Sequence, residues 1–263
     1  MKTILFASMF ALPCAAASCG AAAPAPDTPA PAITPASSTP LTPTATPLPP
    51  TTTQPPAIGT LPIPSSVEVV WNINGEPNRF NNPTSLAIDQ AGNLYVLYSG
   101  NNRIQVFDGD GSFVMMWGTQ GAGDGEFNFH RGAGDHIGGI ALDAQGNMYV
   151  ADFGNYRVQK FDSSGNFLLK WGRKGGGTNQ IDGPCDVAVD VQGNVHVSNL
   201  VPHEETPPRI QKFDSDGNFL ARWGSLGAGD GQFTSPCGIV LDSEGNVYVA
   251  DADNDNVQKF RQE

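Results

Sequence analysis

Three of the four histidines, His130, His136 and His203, fall in two stretches of turn formers that also carry the carboxylates Asp135, Glu204 and Glu205. The first reads Asn128-Phe-His-Arg-Gly-Ala-Gly-Asp-His-Ile-Gly138, the second Asn199-Leu-Val-Pro-His-Glu-Glu-Thr-Pro-Pro-Arg209. Imidazole nitrogens and carboxylate oxygens are the ligands that zinc takes, and carboxylates with carbonyls are those of calcium. His130, Arg131, Asp135, His136, His203, Glu204 and Glu205 therefore form the candidate ligand-binding set. It could hold a divalent metal (zinc or calcium), contact a polar ligand or a protein, or consist of solvated loop residues. The spacing matches no fixed metal motif, so the metal stays unknown and no cofactor is assigned. Neither a Ser-His-Asp nor a paired-carboxylate arrangement is legible, and no catalytic residue is assigned.

The elements that must position these residues are repeats. All four tryptophans, Trp71, Trp117, Trp171 and Trp223, hold one repeat position, and three are followed by glycine. A turn phrase recurs as Asp89-Gln-Ala-Gly-Asn, Asp143-Ala-Gln-Gly-Asn, Asp190-Val-Gln-Gly-Asn and Asp242-Ser-Glu-Gly-Asn. A strand phrase follows as Arg103-Ile-Gln-Val-Phe107, Arg157-Val-Gln-Lys-Phe161, Arg209-Ile-Gln-Lys-Phe213 and Asn256-Val-Gln-Lys-Phe260. Each copy reads as a four-stranded meander whose Asp-x-x-Gly turns use glycine for positive φ and aspartate as a cap. Short strands with regular turns and a period near 50 residues predict an all-β chain, a β-propeller. On a meander the loops from strand 2 to 3 and from strand 4 to the next strand 1 share one face. The extra residues in 128–138 and 199–209 are insertions in those loops, so the candidate set lies on one face of neighbouring blades.

Phe219-Leu-Ala-Arg-Trp-Gly-Ser-Leu-Gly-Ala-Gly-Asp-Gly-Gln-Phe233, Pro236-Cys-Gly-Ile-Val-Leu-Asp242 and Gly245-Asn-Val-Tyr-Val-Ala-Asp251 together resemble the NHL repeat. The resemblance spans 67–263 and implies four NHL-type four-stranded blades, where the family usually has six. Residues 67–71 align with a fourth strand and the last copy stops after its third. The N-terminal strand is therefore expected to complete the last blade and close the ring. The resemblance admits protein- or RNA-binding modules, extracellular sensors, and metal-dependent lyases that release amidated peptides.

Other residues read as structure. His196 replaces the tyrosine of Tyr95, Tyr149 and Tyr248 and is expected in the core. Asp152 and Arg157 are expected to pair within their blade. Asp251-Ala-Asp-Asn-Asp255 faintly resembles a calcium loop. Cys185 and Cys237 share a repeat position in adjacent blades. An oxidising envelope invites a disulfide between them, but the separation is expected to be too long for one, so buried thiols are the expectation and a disulfide the alternative.

Charge and proline locate the rest. Met1-Lys2-Thr3, the apolar run Ile4–Leu12 and the small residues after it form a signal peptide, 1–19. Ala16-Ala17-Ser18-Cys19 resembles a bacterial lipobox, which implies lipidation at Cys19; ordinary cleavage with release is the alternative. Residues 20–66 hold 14 of the 22 prolines and one charge, Asp27, and are expected to be a disordered, semi-rigid tether. The propeller, 67–263, keeps the whole net charge of -12. Such an acidic, exported domain excludes nucleic acid as a partner. The expected function is a non-catalytic, extracytoplasmic binding module for a protein, peptide or envelope glycan, touching the membrane only through a lipid anchor. The alternative is a metal-dependent lyase or lactonase-type hydrolase on the same face.

Overall fold

A computed structural model describes residues 68–73, 79–130, 137–200 and 206–262. The chain divides into units 1–63 and 64–263, and the first lies outside the described residues with the signal, Cys19 and most of the tether. No helix among the described residues is long and apolar enough to cross a membrane.

Four antiparallel meanders follow one another as the blades of a β-propeller. Blade 1 comprises β1 (Pro83–Ile88), β2 (Leu94–Tyr98), β3 (Arg103–Phe107) and β4 (Phe113–Trp117). Blade 2 comprises β5 (Ile140–Leu142), β6 (Met148–Asp152), β7 (Arg157–Phe161) and β8 (Phe167–Trp171). Blade 3 comprises β9 (Pro184–Val189), β10 (Val195–Asn199), β11 (Arg209–Phe213) and β12 (Phe219–Trp223). A short parallel pair, β13 (Ser225–Leu226) and β14 (Gln232–Phe233), leads into blade 4: β15 (Pro236–Leu241), β16 (Val247–Asp251) and β17 (Asn256–Phe260).

The repeated aspartates fix the turns that join strands 1 and 2 and strands 3 and 4 of the blades. Asp143 Oδ1 accepts from the backbone N–H of Gln145 and Asn147, at 2.9 and 2.8 Å. Its Oδ2 accepts from the Asn147 amide and the Tyr149 hydroxyl, at 2.8 and 3.1 Å. Asp242 repeats this with Asn246 and Tyr248, and these donors, Asn246 first, hold its carboxyl well below the usual carboxylate range. One carboxylate thus fixes both the turn and the first residues of the following strand.

The core lies in the seams between blades. Ala87, Tyr95, Leu97, Ile104 and Val106 of blade 1 pack on Ile140, Met148, Val150 and Phe161 of blade 2. Tyr149, Ala151 and Val158 of blade 2 pack on Val187, Val195, Val197 and Phe213 of blade 3. Ala188, Ile210 and Trp223 of blade 3 pack on Ile239, Val247, Val249 and Phe260 of blade 4. Each tryptophan reaches the next blade. A Cβ on Gly217, whose φ is +80°, would stand 2.8 Å from the Trp171 ring, so this turn must be glycine both for its backbone and for its neighbour. Val69 and Val70 are exposed, 68–73 form no strand, and blade 4 has three strands. The expected pairing of 67–71 with the last blade is not formed among the described residues, and Val67 lies outside them.

Candidate functional site

The strand 2–3 and strand 4–1 loops do meet on one face, and hydrogen bonds lace them together. Gly154 N–H donates to the Asn128 carbonyl at 2.7 Å, and Leu200 N–H to the Gly183 carbonyl at 2.9 Å. Beneath them is a second apolar cluster, separate from the seams. Phe153, Cys185 and Leu200 are buried together, with Ile137 and Cys237 packed against them. Ile137 closes the first inserted loop and Leu200 opens the second. The feet of both insertions therefore stand on one platform shared by blades 2, 3 and 4.

The platform is cross-linked. Cys185 and Cys237 form a disulfide, with their Cα atoms 5.2 Å apart. This corrects the expectation of separate thiols. Equivalent positions on innermost strands converge toward the propeller axis, which brings them within the range a disulfide requires. Beside the bond, the Ser198 hydroxyl donates to the Cys237 carbonyl at 2.6 Å, tying β10 to β15.

Asp152 anchors the foot of the first loop. Its buried carboxylate accepts from Asn128 N–H at 2.8 Å, from the Asn155 amide at 2.9 Å, and from Arg157 Nε at 2.7 Å. Arg157 then donates to the carbonyls of Ala122, Gly123 and Glu126, at 2.8, 2.8 and 2.7 Å. The expected Asp152–Arg157 pair is present, and it also clamps the inter-blade loop. Burial pushes the Asp152 carboxyl up, against the hydrogen bonds that favour its charge. In blade 3, Asn199 stands where Asp152 does, and the Thr206 hydroxyl donates to Asp182 at 2.7 Å to pin the far end of the second loop. Asp251 accepts from Thr234 and Ser235 N–H and from the Asn254 amide, at 2.8, 2.7 and 2.8 Å. These donors tie Asp251 to the loop that enters blade 4.

Of the candidate set, His130 is half-buried at the foot of the first loop, and its N–H donates to the Asn128 side-chain oxygen at 3.3 Å. Arg131, Asp135, His136, His203, Glu204 and Glu205 lie outside the described residues. Among the described residues, no three His, Cys, Asp or Glu side chains converge as a metal site. His196 is fully buried, with Nε2 3.3 Å from Asp190 Oδ2 and its ring edge-on to Trp223. It takes the tyrosine's place in the turn network, as expected of a repeat variant. Burial holds its pKa below the ordinary value, opposed by the Asp190 hydrogen bond. Phe153 and Leu200 are absent from the candidate set; the signal for them in the sequence is an apolar side chain directly after the last residue of strand 2 in blades 2 and 3.

The NHL repeat model matches 80–107, 135–161 and 233–260. Over 187 residues the chain is 27% identical to NHL repeat-containing protein 3 of Mus musculus, covering 66% of this chain and 50% of that protein. Over 134 residues it is 33% identical to the peptidyl-glycine alpha-amidating monooxygenase of Mus musculus, covering 47% of this chain and 13% of that protein. The chain thus spans half the length of the first relative and a small part of the second. Among solved structures, a streptogramin B lyase aligns with a TM-score of 0.48 at 16% identity, over 69% of this chain and 55% of that one.

Proposed function

The chain belongs to the NHL-repeat family, and we propose that it is a non-catalytic recognition module, exported and held at the cell envelope by a lipid on Cys19 and the 20–66 tether. Its ligand is a protein, peptide or envelope glycan, bound on the face carrying 128–138 and 199–209. One observation carries this reading. The feet of both insertions rest on a single apolar platform that a disulfide fixes across the blade 3–4 seam. A rigid base under extended loops is what a recognition surface needs, because little ordering remains to oppose binding. The disulfide also supports an oxidising compartment and hence export.

The binding test compares retention from envelope extract by the wild-type chain and by a chain with 199–209 shortened to the length of the blade 2 connection. Loss of the same retained species is expected; equal retention overturns the assignment of the face. For the anchor, wild type is expected to incorporate labelled fatty acid and Cys19→Ser is not.

Similarity to part of an amidating monooxygenase, with His130 on the same face, favours a second reading as a metal-dependent lyase or lactonase-type hydrolase. Chelator-sensitive release of an amidated peptide, lost in His136→Ala and His203→Ala, would replace the first reading with this one.

A further inference from the structure

Each inner seam joins a trailing face, on the side of a blade toward its successor, to the leading face of that successor. Blades 1 and 4 each leave one such face open. On blade 1 it is the leading face. Leu86 is 63% exposed, whereas its repeat equivalents Ile140, Val187 and Ile239 are 5%, 3% and 2% exposed. On blade 4 it is the trailing face. Val257 is 68% exposed, whereas Ile104, Val158 and Ile210 are each 0% exposed. Val240 and Ala250 are exposed beside it.

The leading face of blade 1 is already furnished as an inner seam is. Phe80 packs on Phe107 at 5.8 Å, as Phe127 packs on Phe161 at 5.8 Å and Phe233 on Phe260 at 5.7 Å. Trp71 lies over the turn at Gly111, as Trp117 lies over Gly165 and Trp171 over Gly217. Its Nε1 donates to the Gly109 carbonyl at 3.2 Å. What this face lacks is the sheet of a preceding blade. In its place is an open apolar cleft of about 710 Å³, lined by Trp71, Ile73, Phe80, Leu86, Leu94 and Val96. The missing surface is of the kind blade 4 exposes.

We propose that the trailing face of blade 4 docks on the leading face of blade 1 of a second copy of this chain, and reciprocally, so that two four-blade arcs close one ring. Within one copy these two faces stay apart, with Leu86 and Val257 both exposed, while the three inner seams are packed and a disulfide ties the last of them. A two-fold pair satisfies both open faces at once and changes no existing seam. It makes a ring of about eight blades, the upper end of the usual propeller range. It also places residues 68–71 of each copy, next to its own blade 1, along the free edge of the partner's β17. Each copy then sets those residues against the edge of β17, unpaired among the described residues, covering an edge that would otherwise template aggregation. Lys259, equivalent to Lys160, which reaches the Ser215 carbonyl in the next blade, is placed to reach the Gly109–Asp110 turn of the partner.

The test is sedimentation equilibrium of the full chain carrying Cys19→Ser, so that no acyl chain adds mass. A dimer of twice the chain mass is expected, tightening as salt screens the two acidic domains. Leu86→Glu, at an exposed position of the single copy, is expected to weaken association by roughly tenfold or more with the fold unchanged by circular dichroism. Chains carrying both Leu86→Cys and Val240→Cys, treated with a short bis-maleimide, are expected to give a covalent dimer on a denaturing gel. A chain that stays monomeric at all concentrations, assembles without limit, or joins its two introduced thiols within one copy would overturn the proposal.

Discussion

The Cα atoms of Cys185 and Cys237 stand 5.2 Å apart across the seam of blades 3 and 4, joined through their sulfurs. The bond closes a loop with a sequence separation of 52 and lies directly under the proposed binding face. Replacing both with serine removes that constraint from the unfolded chain as well as part of the platform. A loss of about 2–4 kcal/mol in stability is expected. Urea denaturation of wild type with and without reductant, beside the double serine variant, measures it. Reductant should shift the wild type and leave the variant unmoved.

Arg157 and Asp152 form the buried clamp of the first inserted loop, with side chains 7% and 0% exposed. Arg157→Met takes the charged donor from Asp152, which keeps Asn128 N–H and the Asn155 amide, and it leaves the Ala122 carbonyl without its donor, while the Gly123 and Glu126 carbonyls keep Glu126 N–H and the Gln159 amide. It is expected to destabilise by about 3–5 kcal/mol, the range for uncoupling one partner of a buried pair. Arg157→Lys should recover little of this, because one ammonium cannot span Asp152 and the carbonyls of Ala122, Gly123 and Glu126. Recovery of wild-type stability in the lysine variant would remove the fork geometry from the account.

His196 replaces a tyrosine, and its pH dependence follows from its burial. Its folded pKa lies below the unfolded value, so the folded chain resists protonation. Stability from this group is present above the unfolded pKa of about 6.5 and declines as pH falls below it. His196→Tyr should restore the hydroxyl-to-Asp190 bond of the other blades, change stability at pH 7 by less than about 1 kcal/mol, and remove this part of the acid-side decline. Thermal melts between pH 5 and 8 on both chains decide it.

The repeats make most of this architecture readable in the sequence. Asp143, Gly146 and Asn147 announce a turn because only those side chains meet its backbone demands, and the Trp117 position announces a strand end. Blade spacing was less readable. Cys185 and Cys237 are equivalent positions, but equivalence carries no distance, and the approach of innermost strands near the axis is a property of the ring. The open faces were hidden for the same reason: Leu86 and Ile140 look alike in sequence and differ only in whether a blade precedes them. The inserted loops were legible as insertions, since each breaks the period, whereas the platform under them was not. Phe153 and Leu200 lie outside every strand and acquire meaning only when blades 2, 3 and 4 are brought together.

Asp186 offers the sharpest pH test. It stands on β9 where blade 1 has Ser85 and blades 2 and 4 have Gly139 and Gly238. Its carboxylate accepts from Val187 N–H at 2.9 Å and from Ile239 N–H of the next blade at 3.2 Å. The residue keeps some solvent contact, yet protein surrounds the carboxylate closely. Burial pushes its pKa up to about 6, against those two hydrogen bonds. The folded value exceeds the unfolded value of about 3.9, so the folded chain binds the proton more tightly. Its contribution is therefore full below about pH 4 and is lost as pH rises through about 6, a decline of about 1–3 kcal/mol. Asp186→Asn keeps an acceptor for Ile239 and cannot ionise. In chemical denaturation from pH 4 to 7.5, the variant should gain on wild type across that window and run parallel to it above. If the difference between the two chains stays constant from pH 4 to 7.5, Asp186 does not titrate in this range.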